Sequence, residues 1–186
     1  MSLPLETTPP SAETSSPVSS AELCLWGFLA TVAMLFAAFF SAYLVRRTGA
    51  DWTPVRLPPI LWLNTGVLFL SSVSLQVARA AWKRHQWSLF QGLLAFTVVL
   101  GAVFLAGQFL AWRELAAQGC FLSSNPYGAF FYVVSGLHGA HLATGLLFLC
   151  FALIKTWRWG AEALSRRLVS CVSTYWHFMA VLWGCI

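Results

Sequence analysis

The chain has 186 residues, of which 59% are hydrophobic and only 9% are charged, and its formal net charge is +5. Because about a quarter of the residues of a soluble domain are charged, this composition argues against a water-soluble enzyme and for a lipid-facing surface. The eleven Lys and Arg residues lie mostly between apolar runs, so they indicate membrane topology and no nucleic-acid partner.

The first 21 residues are rich in Pro, Ser and Thr and contain no Lys or Arg. Such a segment cannot bury a core, so residues 1–21 are predicted to be a disordered tail. The tail also lacks the basic region that opens a signal peptide. We therefore expect the apolar run that follows it to be retained as a membrane span.

Five apolar runs follow the tail, and each is long enough to cross about 30 Å of hydrocarbon as a helix. The sequence therefore predicts an all-α integral membrane protein, a five-helix transmembrane bundle that forms one domain over residues 22–186. The predicted spans are approximately residues 23–45, 59–81, 88–111, 126–154 and 168–186.

The basic residues that flank these spans are unevenly shared between the two sides of the membrane. Seven lie on one side and four on the other, which predicts a cytoplasmic N-terminus and a periplasmic C-terminus. The seven are Arg79, Lys83, Arg84, Lys155, Arg158, Arg166 and Arg167, and the four are Arg46, Arg47, Arg56 and Arg113.

The acidic residues all lie outside the spans or at their edges. A proton pump or an ion-coupled transporter usually needs an ionisable group within the membrane, most often a carboxylate. The sequence therefore argues against a self-contained pump and against a carboxylate-based catalytic site.

Histidines are the remaining candidates for chemistry within the membrane. His138 and His141 form an H-x-x-H pair on one face of the fourth span, and His177 lies about halfway along the fifth. Antiparallel packing of these spans would bring His138 and His177 to a similar depth. The residues leave two interpretations open: ligation of a haem or metal, and hydrogen bonding between helices.

Polar residues are concentrated in the second span, and Gln108 adds one from the third. Ser71, Ser72 and Gln76 could form an internal hydrogen-bonded seam with Gln108. The alternative interpretation is a transport path.

Several strings resemble the signatures of haem-copper oxidase subunit III, and they occur in that family's order from about residue 23 to residue 183. The most specific contains Gly136-Leu137-His138-Gly139-Ala140-His141. The strings are Leu25–Ala30 and Ala38–Tyr43 in the first span, Leu63–Thr65 and Ser71–Gln76 in the second, Phe130–Tyr132, Ser135–His141 and Thr144–Gly145 in the fourth, and Tyr175–Phe178 in the fifth. The number of spans is similar to the family's short bacterial form.

The resemblance implies a non-catalytic accessory subunit of a cytochrome c or quinol oxidase in a bacterial inner membrane. Such a subunit binds no haem or copper itself. It packs against subunit I, which carries the haem and copper, in a complex that also contains subunit II or IV. It also holds lipids. We accordingly expect no catalytic or metal-binding residue. The expected structural, lipid-contacting or subunit-contacting residues are Asn64, Ser72, Gln108, His138, His141, Trp176 and His177.

The chain departs from the family at three acidic positions, which correspond here to Val32, Ala111 and Ala180. Any role that depends on those carboxylates, such as assistance in proton uptake, is therefore not expected of this chain. The departures fit a subunit of a nitric-oxide-reductase-like complex at least as well as a standard subunit III. Another alternative is a b-haem membrane anchor of an electron-transfer enzyme, with His138 and His177 as ligands; a small transporter is a weaker one.

Overall fold

The computed structural model describes residues 20–49, Trp52, residues 58–120 and residues 126–186. Its five long helices are α1 (Ser20–Arg46), α2 (Ile60–Lys83), α3 (Trp87–Ala117), α4 (Pro126–Trp159) and α5 (Arg166–Cys185). Each is long and apolar enough to cross a membrane. The predicted fold class, an all-α bundle of five membrane spans, is confirmed.

The helix ends differ from the predicted spans at several points. α1 begins at Ser20, so the last two residues of the predicted tail are helical, and the rest of the tail lies outside the described residues. Arg56, one of the basic residues used to predict the topology, also lies outside them. α3 continues through Arg113 and Glu114 to Ala117, and α4 runs on to Trp159. Charged residues end an apolar run, but they do not end a helix, because its backbone hydrogen bonds continue in the polar region outside the hydrocarbon.

Two short connections fix neighbouring helices side by side. Between α2 and α3 the chain turns at His85, whose φ is 57°, and the backbone N–H of Gln86 donates to the carbonyl of Ala81 at 3.0 Å. Between α4 and α5 it turns at Gly160, whose φ is 82°. The hydroxyl of Ser165 then accepts a 3.2 Å bond from the backbone N–H of Leu168 and caps α5.

α5 contacts α1, α2 and α4, α4 contacts α1, α3 and α5, and α3 packs between α2 and α4. Trp176, Met179 and Ala180 of α5 are among the most completely buried side chains. Large apolar residues such as Trp62, Met34 and Leu147 instead point outward and are at least 70% exposed. A protein in water rarely exposes apolar residues on this scale, so this perimeter is suited to contact lipid.

Candidate functional site

Tyr175, Trp176 and His177 are consecutive residues of α5, and they join it to its neighbouring helices. Successive residues of an α-helix point about 100° apart, so three in a row can reach in three directions. Tyr175 and Trp176 are buried, whereas His177 is half-buried near the surface. Residues 175–177 with their partners on α2, α3 and α4 are called the α5 junction below.

Tyr175 joins α5 to α4. Its hydroxyl donates a 2.8 Å hydrogen bond to the backbone carbonyl of His141. Its ring packs on Gly145, where a Cβ atom would lie only 2.7 Å from a ring carbon. The glycine of the Thr144-Gly145 string therefore permits the close approach of the two helices.

Trp176 joins α5 to α2 and α3. Its indole nitrogen donates a 3.0 Å hydrogen bond to the hydroxyl of Ser71. The far edge of the indole reaches Gly101 of α3, where a Cβ atom would lie 2.8 Å from it. One fully buried side chain thus fills the space between the helices and has its single polar atom paired.

His177 joins α5 to the outer side of α2. Its Nδ1 is hydrogen-bonded to the hydroxyl of Ser72, and its Nε2 lies 3.2 Å from Oε1 of Gln76. Because an amide oxygen only accepts, Nε2 carries the proton and Ser72 donates to Nδ1. Both ring nitrogens are engaged, so His177 cannot ligate a haem iron without losing one of these bonds.

His138 lies in a different environment, an aromatic enclosure in the bundle interior. Its ring centroid is 5.0 Å from that of Trp183, 6.1 Å from that of Phe104 and 6.4 Å from that of Phe36. Neither ring nitrogen has a hydrogen-bond partner among the described residues. The imidazole therefore fills space here.

The expectation that His138 and His177 lie at a similar depth is wrong. His138 packs beside Trp183, which is six residues beyond His177 and hence roughly 9 Å further along α5. The register of α4 against α5 is set by the contact of Tyr175 with Gly145, two helical turns past His138. This displacement and the engaged nitrogens of His177 argue against the two histidines as a pair of haem ligands.

His141 points towards α1. Its Nδ1 lies 2.8 Å from the carbonyl of Leu137 in its own helix, and its ring is beside those of Phe28 and Phe36 at 6.2 Å. Within the described ranges, no three His, Cys, Asp or Glu side chains come close enough together to hold a metal ion.

The polar residues of α2 do not form one seam with Gln108. Ser71, Ser72 and Gln76 bond to α5, whereas the buried amide of Gln108 has no hydrogen-bond partner in the described part of the chain. The α2–α3 interface instead uses Asn64, whose amide donates to the carbonyl of Phe104 at 3.0 Å. Gly107 leaves room for that amide, since a Cβ there would overlap it.

The three positions where the family resemblance places acidic residues are all in the bundle interior. Val32, Ala111 and Ala180 are each at most 2% exposed. The acidic residues that the structure describes, Glu22, Glu114 and Glu162, are not buried. The interior formed by the described residues therefore contains no carboxylate.

Trp183 is a further buried residue of α5 that sequence reasoning did not single out. Its indole nitrogen donates a 3.0 Å hydrogen bond to the hydroxyl of Thr65, and its ring packs on Phe104 as well as on His138. It follows Trp176 by seven residues, two helical turns, and so lies on the same face of α5. This seven-residue spacing is the feature of the sequence that indicates that Trp183 is buried beside Trp176.

A comparison of the whole chain with family profiles shows its family. Residues 19–186 match the family profile described as cytochrome c oxidase subunit III. The chain belongs to the cytochrome c oxidase subunit III family. As the resemblance predicted, it is therefore an accessory subunit of a haem-copper oxidase and a multi-pass membrane protein.

Individual members of the subunit III family align with most of the chain. Cytochrome bo(3) ubiquinol oxidase subunit 3 of Pseudomonas aeruginosa is 29% identical over 167 residues, which cover 87% of this chain and 79% of that protein. Probable cytochrome c oxidase subunit 3 of Nocardia farcinica is 32% identical over 161 residues, 84% of this chain and 79% of that protein. Cytochrome c oxidase subunit 3 of a Bacillus species is 28% identical over 165 residues, 87% and 80% of the two chains.

Proposed function

We propose that this chain stabilises the catalytic subunit I of its oxidase by packing against it, while the haem and copper of the complex lie in that partner. The observation that carries the proposal is the α5 junction, which holds α2, α3 and α4 on one helix through Tyr175, Trp176 and His177. The conspicuous polar side chains thus serve the architecture of the bundle. A rigid bundle of this kind is suited to support a larger membrane subunit.

Within this function, the expected site residues divide into two groups. Asn64, Ser72, Trp176 and His177 hold helices together by hydrogen bonds across their interfaces. The remaining three lie in or beside the interior and make no side-chain hydrogen bond to another helix within the described part of the chain. They are Gln108, His138 and His141.

The chain is proposed to lie in a bacterial inner membrane with its N-terminus in the cytoplasm and its C-terminus in the periplasm. The basic residues of the α2–α3 and α4–α5 connections support this orientation, because both connections lie at the same end of an antiparallel bundle. Subunit II or IV of the oxidase completes the proposed complex.

An open cleft of about 840 Å³ supports a further role in lipid binding. It lies at the end of the bundle opposite these two connections, between the second half of α1, the starts of α2 and α4, and the end of α5. Its lining is mostly aromatic and aliphatic, which suits acyl chains. Among the lining residues are Phe36, Phe40, Tyr43, Phe130, Phe178 and Trp183.

A tagged pull-down from native membranes in mild detergent tests the proposed function. We expect mass spectrometry to identify a large, histidine-rich multi-span catalytic subunit among the captured proteins. A catalytic subunit of the nitric-oxide-reductase type would instead assign the chain to that class of complex. Capture of a flavin or iron–sulfur subunit without an oxidase subunit would contradict the proposal and revive the haem-anchor alternative.

The lipid role is tested separately by filling the cleft. Ala37 lines the cleft, whereas its neighbour Ala38 is exposed on α1 without lining it. We expect Ala37→Phe to lower the amount of phospholipid that remains bound to the purified complex and Ala38→Phe to leave it unchanged. Equal lipid content in the two variants would contradict the assignment of the cleft.

A further inference from the structure

The outer side of the α2–α5 interface carries polar side chains near the middle of the membrane. Ser72, Gln76 and His177 form one hydrogen-bonded group, in which Gln76 is exposed and the other two are half-buried. His177 is about 16 Å from the first residue of α5 and about 12 Å from the last, near the helix midpoint. This group is called the α2–α5 polar group below.

The group has hydrogen-bonding capacity left over on its outward side. Oε1 of Gln76 lies beside the Nε2–H of His177, while the amide nitrogen of Gln76 makes no hydrogen bond within the described part of the chain. Hydrocarbon offers no acceptor for the two N–H groups of this amide. Histidines within membrane spans almost always face a bundle interior or a water-filled cavity, whereas this one is only half-buried, at the surface of the isolated subunit.

Gln76 of the polar group lies within an exposed stripe along α2. Val73, Gln76, Val77 and Ala80 follow one another at helical spacing and are all exposed. Such a stripe, with small or branched apolar residues around one amide, has the composition of a helix–helix contact within a membrane.

We infer that the face formed by the α2–α5 polar group and this stripe is the surface that docks on the larger catalytic subunit. Its occupant is a transmembrane helix of that subunit that presents a hydrogen-bond acceptor opposite the amide of Gln76. The inference rests on the proposed function and deepens it, because it specifies which side of the bundle meets the partner.

Site-specific photocrosslinking in the assembled complex tests the docking face. A benzophenone amino acid is introduced at Val73, 60% exposed on this face, or at Val99, 57% exposed on α3. The two positions lie at similar depth, because the Ser74 and Thr97 hydroxyls are 3.1 Å apart. We expect a crosslink to the catalytic subunit from Val73 and crosslinks to lipid alone from Val99. Val77 provides a second position on the same face.

The outcomes separate this inference from the proposed function. A purified complex that lacks the chain overturns the proposed function and, with it, the docking face. A complex that contains the chain but gives no protein crosslink from Val73 or Val77 overturns the docking face alone. Crosslinks to the catalytic subunit from Val99 alone would assign docking to α3 and would also overturn the docking face alone.

A pair of substitutions tests the hydrogen bond to the partner. Gln76→Leu removes the outward amide, and Val77→Leu is the matched control on the same stripe. We expect Gln76→Leu to reduce retention of the chain in detergent-solubilised complex about three- to twentyfold, the range that one interhelical hydrogen bond in a membrane supplies. Equal retention of the two variants overturns the role assigned to Gln76.

Discussion

The indole nitrogen of Trp176 donates a 3.0 Å hydrogen bond to the hydroxyl of Ser71, across an interface where neither side chain is exposed. The hydroxyl of Ser71 in turn donates to the carbonyl of Leu68 at 2.6 Å. The polar atoms of α5 and α2 thus form a short chain that ends on the backbone. This arrangement leaves the buried indole N–H paired in a medium that offers no water.

A double-mutant cycle measures the strength of this pair. Trp176→Phe and Ser71→Ala each remove one side of the bond, and we expect a coupling energy of about 0.6–1.7 kcal/mol in the free energy of unfolding in bicelles. Ser71→Ala combined with Trp183→Phe serves as the control, because Trp183 bonds to Thr65 instead. A coupling no larger than that of the control pair would show that the bond contributes nothing net.

Gly145 sets how closely α4 approaches α5. We expect Gly145→Ala to destabilise the protein by about 1–3 kcal/mol, because the added methyl group overlaps the ring of Tyr175, which is held by its bond to the carbonyl of His141. Gly139→Ala on the same helix is the control, since a Cβ there meets nothing within 4 Å. Thermal denaturation of the two variants in detergent checks this, and equal midpoints would refute the close contact.

His177 and His138, which differ in environment, are expected to respond differently to replacement by leucine. His177→Leu removes two hydrogen bonds and leaves Ser72 and Gln76 without them, which we expect to cost about 1–2 kcal/mol. His138→Leu removes an imidazole that has no partner among the described residues, so we expect a change within about 1 kcal/mol or a gain in stability. The free energy of unfolding of each variant gives the comparison. A loss at His138 as large as that at His177 would show that its ring is paired.

The isolated chain is expected to bind no b-type haem. The nitrogens of His177 are engaged by Ser72 and Gln76, and His138 lies roughly 9 Å further along the axis inside an aromatic enclosure. A reduced-minus-oxidised spectrum of the purified subunit checks this expectation. A b-haem band that disappears in His177→Leu would contradict it.

Sequence reasoning reached the five spans because each rests on a property of one segment, its length and apolar composition. It also singled out Asn64, Ser72, Trp176 and His177, whose polar or large side chains stand out within an apolar background. The junction itself could not be predicted in this way. Which hydroxyl pairs with Trp176 depends on the register of α5 against α2, and that register follows from tertiary packing.

The prediction of the depth of His138 was wrong for the same reason, because it too depends on the register between two helices. Counting residues from the span ends assumes that the end of α4 and the beginning of α5 lie at the same level, but the contact of Tyr175 with Gly145 displaces one helix along the other. Gln108 shows that the polarity of a residue does not by itself predict its hydrogen-bond partner. Its polarity suggested a place in the seam, whereas Asn64 makes the bond between α2 and α3 and Gln108 does not.

The short turn at His85 has a consequence for how the protein enters the membrane. α2 carries Asn64, Ser71, Ser72, Ser74 and Gln76, a polar load that disfavours its partitioning into lipid alone. Two of these residues bond to α3, Asn64 to the carbonyl of Phe104 and Ser74 to that of Leu93, and only three residues separate the helices. The two helices are therefore suited to leave the insertion machinery together as a hairpin, so that α3 shields polar groups of α2 during biosynthesis until α5 covers the rest.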